Sequence, residues 1–337
     1  MDEVTEDARL ERATLRLINA AAFLAGTRAH SRRLRAVTGV DLGPSDVRFI
    51  ELLSGLDAVP TSIVARGLGV DLAQASRQAT QLEAAGHIVR RTDPDDRRRT
   101  LLALSAPTAA MLDEWLLAWS GDYLDSIARW HAGEVAALTE WFKLVHDRLV
   151  AALPDRPRSA AADRWLELAA EDHDRETRAF LHTMISLTTW VSQSRGFNDL
   201  LERLDAPVRQ SGFSALQVVQ QSGPLSIVEI AERLAIDPSQ ASKRLRQLTE
   251  LRLVDRAVDG FDRRSSLIRL SRKGAALLAK VAEEQLATFE EMTEDVSRAD
   301  RLRWTPLVEA YIGTLLTRRV SADGVLRSAG QELFSRR

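Results

Sequence analysis

This sequence predicts a mainly α fold with small β-hairpin wings (α+β). We expect two tandem winged helix-turn-helix domains joined by a helical pseudo-dimer interface. Three observations predict it. The 337 residues, 45% of them hydrophobic and 28% charged, suffice for two folded domains. Residues 71–105 align without a gap onto residues 237–271, with 14 identities in 35 positions. Each aligned block reads as a helix followed by two short strands.

The composition excludes several classes of protein. The chain has no cysteine, so disulfides, Cys-type zinc sites and thiol redox switches are excluded. It has no run of 18 apolar residues, and its first ten residues are acidic instead of resembling a signal peptide, so we expect a cytoplasmic protein with no membrane partner. The net charge of −2 allows a basic face only where basic residues concentrate locally.

The spacing of the repeat predicts the domain boundaries. An offset of 166 residues is too long for a solenoid repeat of roughly 20–50 residues and indicates a duplicated domain. We expect a first unit at 1–153, a proline-containing linker at 154–163, a second unit at 164–319 and a C-terminal tail at 320–337.

In the first unit we predict helices over 5–38, 45–54, 61–68 and 71–85, a hairpin with strands 88–92 and 100–104, and helices over 107–129 and 133–152. Asp71 is suited to cap the fourth helix. Its buried stripe is predicted to contain the apolar residues Leu72, Ala75, Ala79 and Leu82.

The second unit repeats this order with clearer signals. We predict helices over 175–204, 213–221, 226–234 and 237–251, a hairpin within 254–270, and helices starting near 271 and 300. Ser226 and Glu229 have the spacing of a capping box. Asp237 followed by Pro238 is a typical helix start.

The hairpin tips carry the most specific motif. Residues 93–98 read Asp-Pro-Asp-Asp-Arg-Arg, residues 259–264 contain the same Asp, Asp, Arg and Arg, and each strand ends in Leu-Ser. This wing resembles that of the MarR family of bacterial regulators, and the resemblance covers about 150 residues in each unit. It implies DNA-binding proteins that act as homodimers through their first and last helices. A single monomeric chain here resembles a whole dimer, with double-stranded DNA as its partner.

The predicted recognition helices carry short or bidentate side chains on the face opposite their buried stripe. Gln can pair with adenine, and Arg or Lys with guanine. The candidate base-reading residues are Gln74, Ser76, Arg77 and Gln78 in the first unit, and Ser239, Gln240, Ser242, Lys243, Arg244 and Arg246 in the second.

The wings supply a second set of candidates. Arginines there are suited to the minor groove, where narrow A·T-rich stretches concentrate negative potential. The candidates are Arg97, Arg98, Arg99, Arg263 and Arg264. The resemblance implies that Asp96 and Asp262 hold these arginines in position.

The two units differ in charge. Residues 239–273 contain ten basic and four acidic residues, whereas residues 74–105 contain six basic and four acidic residues. Because phosphate neutralisation dominates affinity, we expect the second unit to bind DNA more strongly and the operator to be pseudo-palindromic or asymmetric.

The seven tryptophans allow two interpretations. Their clustering is typical of a packed interface between the units. Alternatively, they line a pocket for a small aromatic effector whose binding releases a repressor from DNA, as the resemblance implies. The candidate pocket residues are Phe23, His30, Trp115 and Trp119, or Phe180, His182 and Trp190.

No catalytic, cofactor or metal site is predicted. The six histidines lack a metal-ligand spacing, and no nucleophile elbow or phosphate-binding glycine loop occurs. The chain is therefore predicted not to be an enzyme. The alternative to a regulator is a protein-interaction module that kept this fold but binds operator DNA weakly or not at all.

Overall fold

The computed structural model describes residues 8–25, 28–54, 56, 58–68, 70–152, 161–169, 173–192, 195–234, 236–258 and 266–323. Every element named below lies in these ranges. Within them, no helix is both long and apolar enough to cross a bilayer.

The first unit is mainly helical, with one small sheet. In chain order its elements are α1 (Arg9–Ala25), α2 (Arg28–Thr38), α3 (Pro44–Ser54), β1 (Val59–Pro60), α4 (Thr61–Leu68), α5 (Leu72–Ala84), β2 (Ile88–Thr92), β3 (Thr100–Leu104), α6 (Ala106–Ile127) and α7 (Ala132–Ala152).

One further helix, α8 (Ala161–Ala169), precedes the repeat of this order. The second unit continues with α9 (Arg175–Ser192), α10 (Arg195–Arg203), α11 (Gln210–Ser222), α12 (Ile227–Leu234), α13 (Pro238–Glu250), β4 (Val254–Val258), β5 (Ser266–Leu270), α14 (Arg272–Met292) and α15 (Arg298–Asp323).

The elements of the second unit begin 166 residues after those of the first at α1 and α9, α3 and α11, α4 and α12, α5 and α13, β2 and β4, α6 and α14, and α7 and α15. We therefore call two residues counterparts when they are 166 positions apart. The same regularity extends to a third strand that the sequence did not predict. Val59 of β1 pairs with Leu102 of β3, and their counterparts Leu225 and Ile268 form an isolated bridge.

Local capping explains where the helices of the helix-turn-helix begin. The Asp71 carboxylate accepts a hydrogen bond from the Gln74 backbone N–H at 2.7 Å. Ser226 and Glu229 form a reciprocal capping box, in which each side chain accepts from the other residue's backbone N–H, at 3.2 and 2.8 Å. Both predicted caps are confirmed.

The buried residues form three clusters. One cluster lies in the first helix-turn-helix, around Phe49, Ile50 and Leu102. A second lies in the other helix-turn-helix, around Leu216, Leu245 and Ile268. The third and largest joins the two units, and α1, α7, α8, α9 and α15 contribute to it; it contains Trp141, Trp165, Phe180 and Tyr311. The two helix-turn-helix parts are thus joined by one shared helical core.

The structure corrects one predicted core residue. Leu72 is 56% exposed, so the buried stripe of α5 consists of Ala75, Ala79 and Leu82 alone. Leu72 is the first residue of the helix, and the chain that precedes it places no cover over its side chain. The apolar periodicity of α5 therefore starts one turn later than predicted.

Several predicted boundaries also change. Where one helix was predicted over 5–38, the structure describes two, α1 and α2, and where one was predicted over 175–204 it describes α9 and α10. The residues between the members of each pair lie outside the described residues. Residues 161–163, predicted as linker, belong to α8, whose Ala162 and Trp165 are buried in the central core. Helix α15 enters the predicted tail and reaches Asp323, and residues 324–337 lie outside the described residues.

Candidate nucleic-acid interface

The predicted recognition helix of the first unit, α5, packs through a small apolar face. Ala75, Ala79 and Leu82 are buried, and this leaves Gln74, Ser76 and Arg77 exposed on the opposite side. These three candidates share one exposed face, which is the arrangement that insertion into a groove requires.

Two basic or amide groups near this face are already engaged within the first unit. The Gln78 side-chain amide donates to the Asp46 carboxylate of α3 at 2.9 Å. The Arg90 guanidinium of β2 donates to Glu83 at 2.7 Å and to the Thr80 hydroxyl at 3.1 Å. Carboxylates therefore occupy groups that could otherwise contact DNA, and Gln78 is only half-exposed.

The predicted recognition helix of the second unit, α13, packs through the buried residues Ala241, Leu245 and Leu248. Its candidates fall into two groups. Ser239, Gln240, Lys243 and Arg246 are exposed, and Ser242 and Arg244 are half-buried.

Arg244 is the counterpart of Gln78 and lies in a different electrostatic setting. Burial lowers the pKa of the Arg244 guanidinium, which still remains charged at neutral pH. The counterpart of Asp46 is Gly212, so the carboxylate that holds Gln78 is missing in the second unit. Arg244 forms no hydrogen bond or ion pair with any residue that the structure describes. Among the described residues, an anion that approaches α13 therefore meets a cation without a competing carboxylate.

The first wing is a turn organised by aspartates. Asp93, which is buried, accepts from the Asp95 backbone N–H at 2.9 Å, and its carboxylate lies 3.8 Å from the Arg99 guanidinium. Asp96 accepts from the backbone N–H of Arg98 at 3.0 Å, so it fixes the main chain there instead of the guanidinium. The side chains of Arg97 and Arg98 are exposed and have no ion pair within the described part of the chain.

The second wing lies in part outside the described residues. Its strands β4 and β5 pair in register from Val254 with Leu270 to Val258 with Ser266. The predicted site residues Asp262, Arg263 and Arg264 fall in the segment between them, which is not among the described residues.

The first aromatic set forms a contiguous cluster in the first unit. The His30 ring lies edge-on to Trp115, with centroids 5.2 Å apart, and Trp115 stacks with Trp119 at 6.3 Å. Nε2 of His30 lies 2.8 Å from the Glu51 carboxylate. The Trp115 indole N–H is buried without a hydrogen-bond partner among the described residues. The side chain of Phe23, the fourth candidate, is outside the described side chains.

The second aromatic set is placed differently. Phe180 is buried in the central core and packs edge-on against Tyr311, with ring centroids 5.6 Å apart. His182 is partly exposed, and its Nε2 lies 3.1 Å from Asp163 of α8. Trp190 is buried in the central core. Phe180 and Trp190 therefore serve packing, and His182 pairs with α8.

Sequence reasoning missed two features of this surface. Leu72 places an exposed apolar side chain at the start of α5, beside the polar face, where the second unit has Pro238. Arg233 of α12 has a buried Nε without a partner in the described ranges, and its counterpart is Gly67. The position of Leu72 at the first helical residue was the available signal, because a side chain there has no preceding turn to cover it.

One family model and one curated relative match part of this chain. The MarR family model matches residues 212–265, which span most of α11 through β4. A curated relative, the uncharacterized HTH-type transcriptional regulator YxaD of Bacillus subtilis, is 25% identical over 123 residues, which are 36% of this chain and 85% of that protein. The chain is therefore similar to the MarR family over residues 212–265 and to an HTH-type regulator over about a third of its length.

Two solved structures also match part of the chain. The transcriptional regulator Tm0710 of Thermotoga maritima is 21% identical, with a TM-score of 0.34, over 38% of this chain and 88% of its own. A MarR family protein from Bacillus stearothermophilus is 19% identical, with a TM-score of 0.36, over 44% of this chain and 99% of its own. The similarity of the second helix-turn-helix to the MarR family rests on the family model alone.

Proposed function

We propose that this protein is a sequence-specific transcriptional regulator of the MarR type that binds double-stranded DNA with two recognition helices in one chain. One observation carries the proposal. A helix-turn-helix followed by a hairpin occurs twice at a fixed offset, each time with a polar exposed face on the second helix, and the second copy matches the MarR family model. The regulator YxaD, which carries an HTH-type name, is similar over a length close to one such unit.

In the proposed complex, α5 and α13 enter major grooves about one helical turn apart. Gln74 and Gln240 are placed to pair with adenine, and Lys243, Arg244 and Arg246 to contact guanine or phosphate. Arg98 and Arg264 enter the flanking minor grooves.

We call α5 and α13 with their exposed side chains the first and the second reader. In this proposal they bind unequal half-sites of the operator. The first reader offers Gln78 and Arg90, both held by carboxylates. The second offers Arg244 and Arg246, which have no such partner among the described residues. Since neutralisation of phosphates supplies most of the affinity, the second reader anchors the protein and the first adds sequence discrimination.

We propose that the protein is a repressor and that a small aromatic effector binds beside His30, Trp115 and Trp119. Their counterparts are Gly196, Val281 and Gln285, so the second unit lacks the equivalent aromatic set. An effector releases DNA only if it binds more tightly to a conformation of the protein in which the distance between the two readers does not fit the operator.

The test is selection of bound duplexes from a random DNA pool, followed by affinity measurements at two salt concentrations. We expect a selected site with two unequal halves and an affinity that falls steeply with salt. Arg244→Ala with Arg246→Ala should weaken binding, whereas Arg35→Ala, which removes an exposed pair with Asp41, should not. If no duplex is selected at either salt concentration, the regulator is rejected in favour of the protein-interaction module.

A further inference from the structure

The two units meet along an edge that is held by ion pairs. Helices α1 and α7 of the first unit pack there against α14 and α15 of the second. We call this the ion-paired edge. Its pairs are Arg9 with Glu309, Glu11 with Arg301, Glu140 with Arg303, and Arg148 with Asp295.

Glu11 is the deepest of these charges. Its side chain is 0% exposed, and its carboxylate accepts from the Arg301 guanidinium and, at 2.9 Å, from the Thr293 hydroxyl. Arg301 in turn donates to the Thr293 backbone carbonyl at 2.7 Å. Removing one partner of a buried pair leaves an uncompensated charge, which is far more costly than removing both.

The remaining pairs are more exposed and have good geometry. Arg9 donates twice to Glu309, at 3.2 and 2.8 Å. Arg148 lies 2.7 Å from Asp295, and hydrogen bonding to Arg148 lowers the pKa of that carboxyl. Arg303 donates to Glu140 at 2.8 Å. Individually such pairs contribute little stability, but they set which surfaces fit together.

None of these pairs is repeated at the counterpart positions. A symmetric dimer interface would contain each pair twice, because the same surface occurs on both partners. The four counterpart combinations here contain no opposite charges: they are Arg175 with Lys143, Thr177 with Val135, Pro306 with Ala137, and Thr314 with Arg129.

We propose that this interface is heterospecific: it accepts a first unit against a second unit and rejects two first units or two second units. If two first units paired in this way, Glu11 would meet Val135 in the core, and Arg9 would meet Lys143. If two second units paired, Arg301 would meet Thr177. Each case leaves a charge unpaired or opposes like charges, and this directs the first unit to the second unit of its own chain.

The short connection between α7 and α8 strengthens this choice, since tethered units meet at a high effective concentration. The inference extends the proposed function, because a fixed pairing also fixes which reader occupies which half-site. It can nevertheless be tested without DNA, so its failure can be told apart from a failure to bind an operator.

The experiment compares full-length variants by light scattering after refolding over a range of concentrations. Glu11→Thr with Arg301→Val gives both edges the same uncharged Thr–Val pair and removes the barrier to homotypic pairing. We expect the wild type to refold as a monomer and this double variant to form dimers, with a dimer fraction about tenfold higher at the highest concentration. The single variants Glu11→Thr and Arg301→Val should instead unfold roughly 5–10 °C lower than the double variant.

A second, surface variant covers the case in which the double variant does not fold. Arg129 is exposed, and two first units would place it opposite Arg148, whereas its partner at the counterpart position in the native pairing is the uncharged Thr314. Arg129→Glu therefore turns this homotypic contact from repulsive to attractive and should raise the dimer fraction about threefold, whereas Arg129→Gln should raise it less. A wild-type chain that is already dimeric, or folded Glu11→Thr/Arg301→Val and Arg129→Glu variants that both remain as monomeric as the wild type, would overturn the proposal.

Discussion

The two predicted recognition helices, α5 and α13, have the same backbone arrangement but differ in the charged residues around them. In the first unit, Asp46 and Glu83 engage Gln78 and Arg90. Their counterparts Gly212 and Thr249 cannot do so, and Thr80 is replaced by Arg246.

Gln78 is likewise replaced by Arg244, so two carboxylates give way to neutral residues and two neutral side chains give way to arginines within one small surface. Position in the fold alone therefore does not decide whether a side chain is available to contact DNA. The residues that hold the candidate side chains decide whether they are available.

The largest effect is expected when the second reader is given the chemistry of the first. Arg244→Gln with Arg246→Thr removes two cations and should lower DNA affinity by about 10- to 100-fold. The dependence of log affinity on log salt should also become less steep by about one to two. Equilibrium titration of the selected duplex at several salt concentrations measures both effects.

The control for that variant is Arg77→Gln in the first reader, which removes one exposed cation and should cost less. Equal losses from the two readers would contradict the proposed inequality of the units.

The reverse exchange should strengthen the first reader. Asp46→Ala with Glu83→Gln releases Gln78 and Arg90 and removes two negative charges from the surface that we propose to face DNA. We expect a gain in affinity of about three- to tenfold at low salt, which shrinks as salt screens the new contacts. The matched control is Asp41→Ala, which removes an exposed carboxylate that pairs with Arg35 away from α5. An unchanged affinity would show that these carboxylates do not limit the first reader.

Sequence reasoning succeeded where structure is decided by near neighbours. The caps at Asp71 and Ser226 and the strand pairs of both hairpins depend on residues within a few positions, and all are confirmed. The contact of Gln78 with Asp46 depends on how α3 approaches α5, and the pair of Glu11 and Arg301 spans almost the whole chain. No local pattern encodes such contacts, and for this reason Gln78 was expected to be free to read bases.

A smaller effect should come from the exposed leucine of the first reader. We expect Leu72 to contact the methyl group of a thymine. Its counterpart in the second reader is Pro238, whose side chain has a different shape. Replacing thymines by uracil in the first half-site should weaken wild-type binding by about fourfold, which corresponds to burial of one methyl group at ~0.8 kcal/mol. The same DNA should not weaken Leu72→Ala further, and uracil in the second half-site is the matched control. Equal sensitivity of wild type and variant would assign the methyl group to another residue.

The smallest effect concerns the turn after each recognition helix. Gly86 has a φ of 79°, whereas its counterpart Arg252 has a φ of 59°, in the left-handed region that a side chain disfavours. Arg252→Gly should relieve this strain and stabilise the protein by about 0.5 kcal/mol, because the larger conformational freedom of glycine in the unfolded chain offsets part of the gain. Gly86→Arg should destabilise by roughly 1 kcal/mol. Urea unfolding measures both changes, and a stabilising Gly86→Arg would show that this turn relaxes freely in the first unit.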